Sequence, residues 1–337
     1  MTRGRNPLDI LPSMVGDLGR VDTELAASVD SSIPFLTEIA SHLITAGGKR
    51  IRPGFCIAAA ATGLAADQPA THDVIRGGAA VELVHLGSLY HDDVMDAAPS
   101  RHFVASVNEL WGNHRAILAG DFLLARSSEI AASLGVEVAA LLGATISRLV
   151  EGQTLEMQHL HDLDRSEAAY WASIDGKTAA LVATSCRVGG IVADLPREHI
   201  ELVTTFGRTY GTAFQVVDDV LDLVSSDTDM GKPTGHDMSE GVYTLPVIRH
   251  LAAHPDGELT PLLGPSMTEA DCARAAELVR NSGALDDAIG EARRLAGEAA
   301  TALGDLPPSP GVTGLLAASE HLVASVEAAA AHPTVAR

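Results

Sequence analysis

Three carboxylates close a long apolar stretch: Asp92, Asp93 and Asp96 end the segment Val81–Asp96, VELVHLGSLYHDDVMD. Read as a helix, the segment puts Asp92 and Asp96 one turn apart on the same face. Like charges at that spacing repel, and neighbours such as Val81, Leu83, Val84 and Leu86 add a desolvation cost. One Asn or Ser would remove the cost. Its retention points to a multivalent cation held between the carboxylates, with Mg²⁺ the hard, oxygen-seeking candidate. A solvated helix end is the commoner explanation of a single cluster of this kind. Here the pattern recurs, because Phe214–Val224, FQVVDDVLDLV, carries Asp218, Asp219 and Asp222 at the same spacing inside another apolar run. Two costly acid clusters in one chain favour one shared metal site, which requires both helices to face one cavity.

The cations are as selective as the acids. Lys49, Lys177 and Lys232 are the only lysines, and each follows a glycine, in GGKRIRP, DGKTAAL and MGKPTGHD. Gly-Lys at a helix edge sets a compact ammonium beside exposed backbone, a common way to hold phosphate oxygens. A solvated loop lysine is the ordinary alternative for any one of them. All three in this setting, beside two acid clusters, point to metal-bridged phosphate chemistry.

The chain of 337 residues provides ample length for a sizeable core, read here as one large domain over 31–337 after a mobile segment over 1–30. High apolar and alanine content with few aromatics suits close-packed helices rather than sheets. Asp and Glu number 44 against 23 Lys and Arg, a formal net charge of −21. That balance argues against nucleic acid or an anionic membrane surface as partner. Cys56, Cys186 and Cys272 are scattered without metal spacing, which suits a reduced cytoplasmic setting. No run is long and charge-free enough to suggest an integral membrane segment.

The periodicity predicts a helix over 33–46, ended by Gly47–Gly48, and a basic group, Lys49, Arg50 and Arg52, before Pro53 opens the next helix. Further helices are expected over 74–96, 111–134, 136–161, 173–189 and 198–224. The segment 97–107, with Pro99, Arg101 and His102, breaks the pattern. Glu151, Gln153 and Glu156 are candidates to line a cavity, with a solvated or structural role preferred for them. The polar, glycine-rich stretch 225–241 reads as a loop that closes over a ligand. From Leu251 onward, amphipathic helices alternate with Pro/Gly breaks and carry no identifiable chemistry.

The ordered set GGKRIRP, HDDVMD, GDFLLARS, GKTAAL, FQVVDDVLD, GKPTGHDMSEG and the following TLP resembles the trans-isoprenyl diphosphate synthases, or polyprenyl synthetases, from about Ile33 to the C-terminal helices. The resemblance implies an all-α terpenoid-synthase (isoprenoid synthase) fold, helices around a deep central cavity, usually in a homodimer. It implies that Asp92, Asp93 and Asp96 together with Asp218, Asp219 and Asp222 bind an allylic diphosphate through about three Mg²⁺ ions. Arg101, Lys177, Thr178, Gln215 and Lys232 match residues that grip that diphosphate, with Lys177 also counted as catalytic. Lys49, Arg52, His85 and His102 fall to the pocket for isopentenyl diphosphate. Breaking the allylic C–O bond makes a carbocation and a highly charged leaving group, which metal ions and cations stabilise while an apolar pocket excludes water. The alkene of the second substrate then attacks, and in the family the released diphosphate takes the final proton. No side-chain nucleophile is required.

Two positions depart from the family pattern. His102 and Phe103 stand where Arg-Gly usually follows the first arginine, which implies weaker or more pH-sensitive binding of isopentenyl diphosphate, and Val242 stands where a lysine usually follows SEG. Gly87 and Ser88, just before the first triad, are small where relatives forming short products often carry aromatics. They leave the tunnel open on that face and favour a product of geranylgeranyl length or longer, with Tyr90 a large neighbour. A terpene cyclase, which ionises one allylic diphosphate, has no use for Lys49, Arg52 and His85. A non-catalytic partner subunit on the same fold draws support only from His102 and Val242.

Overall fold

Helix after helix follows from the alanine- and leucine-rich sequence. The computed structural model describes residues 6–101, 104–224 and 234–331. Packing groups the chain into two compact units. Unit 1 comprises Met1–Ile146, Leu181–Gly207 and Ala302–Ala318; unit 2 comprises Ser147–Ala180, Arg208–Thr301 and Ser319–Arg337. No run of proline, glycine and serine marks the divisions at 146/147 or 207/208, so the sequence carries no linker signal there.

Unit 1 is organised on helix α4 (His72–Met95), against which α1 (Met14–Ser28), α3 (Ile51–Ala60), α5 (Val107–Trp111) and α6 (Asn113–Leu134) pack. The Thr71 side chain caps α4 by accepting from the Val74 N–H at 3.3 Å. Neighbours on several sides explain its composition. Val74, Ile75, Val81, Leu83, Val84 and Leu86 are buried, each contributing about 1.5–3 kcal/mol of apolar burial. Gly77 lies against Val188, where a Cβ would stand 2.8 Å from Cγ1. The helix stops at Asp96, whose N–H still bonds Asp92 O, because Ala97 turns to a φ of 48°. Helix α2 (Pro34–Ala46) starts on a proline and ends at Gly47 with φ 89°.

The described part of the first 30 residues is not the mobile segment expected. Residues 14–28 form α1, and Met14, Leu18, Val21 and Leu25 are fully buried. Its apolar residues recur at helical spacing and give it a face that only the core can cover. A second unexpected element is a short antiparallel hairpin, β1 (Ser100–Arg101) with β2 (Val104–Ala105), where the sequence showed only a break.

The expected helix over 173–189, which begins in unit 2 and runs into unit 1 at Leu181, is interrupted. Helix α8 (Glu167–Ile174) passes into a π-helical turn over Asp175–Ala179, and α9 (Ala180–Val192) continues from it. Helix α7 (Val136–Gln158) supplies Ser147 onward to this unit, and α10 (Arg197–Val224) supplies Arg208 onward. Among the described residues the remaining α-helices of the chain are α11 (His236–Ser239), α12 (Leu245–Ala253), α13 (Glu269–Arg280), α14 (Gly283–Ala302) and α15 (Pro310–Ala331), the last of which supplies Pro310–Ala318 to unit 1. Among the described residues no helix is long and apolar enough to cross a membrane.

Close approach sets the glycines. A Cβ on Gly189 would stand 2.0 Å from the Cys56 carbonyl oxygen, whereas one on Gly16 of α1 meets nothing within 4 Å. Gly189→Ala is therefore expected to lower stability by about 1–3 kcal/mol through overpacking, while Gly16→Ala is neutral or stabilising by up to about 1 kcal/mol. Urea melts of both variants check the contrast.

Candidate active site

Each aspartate triad is split in the same way. In the first, Asp92 is half-buried and Asp96 exposed, one turn apart, while Asp93 is fully buried. The Arg101 guanidinium reaches the Asp93 carboxylate twice, Nε at 2.7 Å and Nη2 at 2.6 Å from Oδ1. Arg101 is carried there by β1. The unexpected hairpin is thus what returns a cation to the end of α4.

In the second triad, near the end of α10, Asp218 is exposed, Asp222 half-buried and Asp219 only 2% exposed. Here the buried carboxylate receives neutral donors: Tyr170 O–H at 2.5 Å and the Gln215 side-chain amide at 2.9 Å. Burial pushes Asp219 well above the usual carboxylate range, and Asp237 and Asp218 push it further, against the two hydrogen bonds. Burial likewise raises Asp222 to about 8, with Asp237 the next cause. Asp237 of α11 also donates its backbone N–H to Asp222 Oδ2 at 3.4 Å.

Lys177 stands on the π turn, a local geometry often found at functional positions. Two glycines permit it: a Cβ on Gly152 of α7 would stand 2.3 Å from the Lys177 backbone nitrogen, and one on Gly176 would stand 2.7 Å from the Arg148 carbonyl. Asp175, held by Arg148 and by Arg208, fixes the turn from the other side. The backbone contact delivers the Lys177 ammonium to Glu156 at 2.5 Å. Thr178 donates to Gln215 Oε1 at 2.7 Å, so Thr178, Gln215, Asp219 and Tyr170 form one chain of hydrogen bonds.

Below that chain lies Arg165, 4% exposed, bonded to the Tyr243 carbonyl at 2.9 Å and Ser173 Oγ at 2.7 Å. Its guanidinium sits 5.7 Å from the Tyr170 ring centroid, within cation–π range. Burial lowers its pKa, and Glu156, Asp219 and Tyr170 oppose that shift.

The basic loop before α3 divides by role. Arg50 is structural, 3% exposed, bonding Asp22 at 2.8 Å, Glu82 at 3.1 Å and the Ile44 carbonyl at 3.0 Å. Lys49 is exposed. Arg52 has a buried Nε with no hydrogen-bond partner; burial lowers its pKa and Glu82 works against that. An under-bonded guanidinium of this kind suits an anion. On α4, His85 and Ser88 share the half-open stripe that ends in Asp92, at i, i+3 and i+7.

Two residues expected at a tunnel wall are otherwise engaged. Gly87 is buried against α6, where a Cβ would stand 3.1 Å from the Gly120 carbonyl oxygen, so its small size serves helix contact. Tyr90 is fully buried with its hydroxyl donating to the Ile39 carbonyl of α2 at 2.9 Å. Ser88 alone of the three stays on the half-open face. Lys232 and His102 lie outside the described residues.

Sequence reasoning missed Tyr170, Arg165 and Asp237, and it did not pair Glu156 with Lys177. Asp237 had a signal, since it lies inside GHDMSEG. Tyr170 and Arg165 had none, because only the packing of α8 brings them to the second triad.

The donor set is entirely oxygen, strained by mutual repulsion in the second triad, and suits a hard divalent cation. Among the described residues no group of three or more His, Cys, Asp or Glu side chains is arranged to hold a metal ion alone.

The structural comparison defines the class. The chain superposes on polyprenyl synthase from Caulobacter crescentus, solved with calcium and isoprenyl diphosphate, at a TM-score of 0.87 and 32% identity over 96% of this chain and 99% of that one. The architecture is the all-α isoprenoid synthase fold. The polyprenyl synthetase family model matches residues 33–279. Nonaprenyl diphosphate synthase of Mycobacterium tuberculosis is 37% identical over 306 residues, 90% of this chain and 89% of the relative. Heptaprenyl diphosphate synthase component 2 of Geobacillus stearothermophilus is 34% identical over 292 residues, 86% and 90% of the two chains. The chain belongs to the polyprenyl synthetase family and is a prenyltransferase of the trans-polyprenyl diphosphate synthase class.

The raised Asp222 pKa carries a stability consequence. Without metal, the folded state holds a proton up to about pH 8 that the unfolded chain releases near about pH 4, so stability falls as pH rises between those values. Asp222→Asn is expected to raise the melting temperature of chelator-treated protein at about pH 8 and to leave it unchanged at about pH 4. Differential scanning calorimetry at the two pH values checks the sign.

Proposed function

We propose that the protein condenses isopentenyl diphosphate with an allylic diphosphate to give a trans-polyprenyl diphosphate of geranylgeranyl length or longer, in a Mg²⁺-dependent reaction. The observation that carries this reading is the shared division of the two triads: accessible outer carboxylates one turn apart, and a braced middle one. In this reading Asp92, Asp96, Asp218 and Asp222 take the metal ions, about three in number by family resemblance. Asp93 and Asp219 each brace their own helix end, Asp93 through Arg101 and Asp219 through Tyr170. When bound, Mg²⁺ supplies charge stabilisation to the departing diphosphate.

The chain's own residues do the rest. Lys177, set in position by the π turn and Glu156, aligns the allylic diphosphate, with Thr178 and Gln215 fixing the neighbouring carboxylate. Arg101 and Lys232 belong to the same substrate. Arg52, whose Nε has no partner, takes the diphosphate of isopentenyl diphosphate together with Lys49, His85 and His102. That second anion pocket is what separates a transferase from a cyclase. Ser88, on the same stripe as Asp92, faces the growing chain.

A homodimer is proposed as the working unit, supported by the exposed apolar side chains of unit 1, where Phe35, Leu110, Ile117 and Leu118 are each at least 40% exposed. The relative named as component 2 keeps open a heteromeric arrangement. The three free cysteines, all buried, accord with a cytoplasmic setting.

Purified protein given Mg²⁺, radiolabelled isopentenyl diphosphate and allylic primers is expected to form labelled, longer diphosphates. Product from primer alone would indicate a cyclase, and activity only with an added partner would indicate a subunit. Asp92→Ala and Asp218→Ala are each expected to cut turnover by about 10²–10³-fold or more without unfolding the chain; near-normal rates in both would remove the metal assignment. Ser88→Phe is expected to shorten the main product by one or more isoprene additions, read by chromatography of the dephosphorylated alcohols.

A further inference from the structure

The loop between α2 and α3 is held by a residue outside every motif. Asn6 is 1% exposed. Its Nδ2 donates to the Lys49 carbonyl at 2.8 Å and to the Arg50 carbonyl at 3.2 Å, while its Oδ1 accepts from the Leu8 N–H at 2.8 Å. The backbone N–H of Asn6 in turn donates to Asp9 Oδ2 at 2.9 Å. Both amide hydrogens and the amide oxygen are engaged, which fixes the side chain in one orientation. Helix α3 leaves room for it with Gly54, where a Cβ would meet Asn6 Nδ2 and Leu8 Cδ1 at 3.0 Å.

The loop needs such a hold. Gly47, Gly48 and Arg50 have φ values of 89°, 154° and 52°, so its carbonyls cannot join a regular ladder. Arg50 is the one non-glycine of the three in the left-handed region, and it ties the loop to α1, α2 and α4 through Asp22, the Ile44 carbonyl and Glu82. Asn6 secures the opposite, carbonyl side. Lys49 lies within the held segment, and Arg52 stands three residues on.

We propose that Asn6 is a positioning residue for isopentenyl diphosphate: by pinning the Lys49 and Arg50 carbonyls it sets where the Lys49 ammonium and the Arg52 guanidinium meet that substrate. The inference rests on the assignment of Lys49 and Arg52 to the second diphosphate. Small displacements of a positioning group carry large kinetic penalties, and the effect falls on one substrate because the allylic diphosphate is assigned to other residues.

The test is steady-state kinetics on the full chain with Mg²⁺ and both substrates. Asn6→Asp keeps the size and the acceptor for Leu8 N–H but loses both donations to the loop. It is expected to raise the KM for isopentenyl diphosphate about tenfold, with kcat and the allylic KM within about twofold. Gly54→Ala, which presses on Asn6 from α3, is expected to shift the same constant selectively, and it stands in if Asn6→Asp does not fold by circular dichroism. Lys49→Ala is the reference. An unchanged isopentenyl KM in the folded variants, with Lys49→Ala raising it, overturns the inference. An equal rise in both KM values also overturns it, as a general structural effect. No effect of Lys49→Ala removes the loop assignment itself, and the inference with it.

Discussion

Negative charge concentrated at two helix ends is the constraint on which the site depends. A carboxylate in apolar surroundings must be neutralised, bonded or shared with a cation, and each triad places one such group inside the protein. The two are supported by opposite means. Asp93 meets a guanidinium, whereas Asp219 meets a phenol and an amide, with the buried cation Arg165 one layer below. A neutral brace leaves Asp219 and Asp222 pushed up in pKa by burial and by Asp237. That strain makes the second triad the place where a divalent cation has most to relieve.

Placement of the cations depends on backbone closeness rather than on long side chains. Gly152 and Gly176 let α7 and the π turn meet backbone to backbone, so Lys177 arrives beside Glu156 with little freedom left to lose. Before α3 the same economy is reached by different means. Arg50 accepts a left-handed conformation and three ion-pair or carbonyl partners, and Asn6 closes the other side. In both places the group next to the proposed diphosphate is held by a neighbour that touches no substrate.

Much of the candidate site was legible in the order of residues. Asp92 and Asp96, or Asp218 and Asp222, at i and i+4 in apolar runs, announce a shared face. Glycine before each lysine announces backbone that can bend. Gly87 shows what such reading leaves out, because a small residue beside the triad serves a tunnel and a helix contact equally well in sequence. The Gly120 carbonyl, 3.1 Å from the missing Cβ, adds a helix contact that no local pattern announces. Tyr170 and Arg165 were not legible at all, since a tyrosine in a short helix and an arginine just before it carry no mark of what lies above them.

The sequence by itself determined the helical class, the two triads and the family, because these depend on periodicity and on short fixed spacings. Tertiary structure alone decided which carboxylate of each triad is buried, which arginine of Lys49–Arg52 is a strut, and that residues 14–28 belong to the core. Those outcomes depend on which distant side chain arrives at a given atom, as Arg101 does at Asp93 and Asn6 at Lys49, and packing sets that arrival without leaving a local pattern.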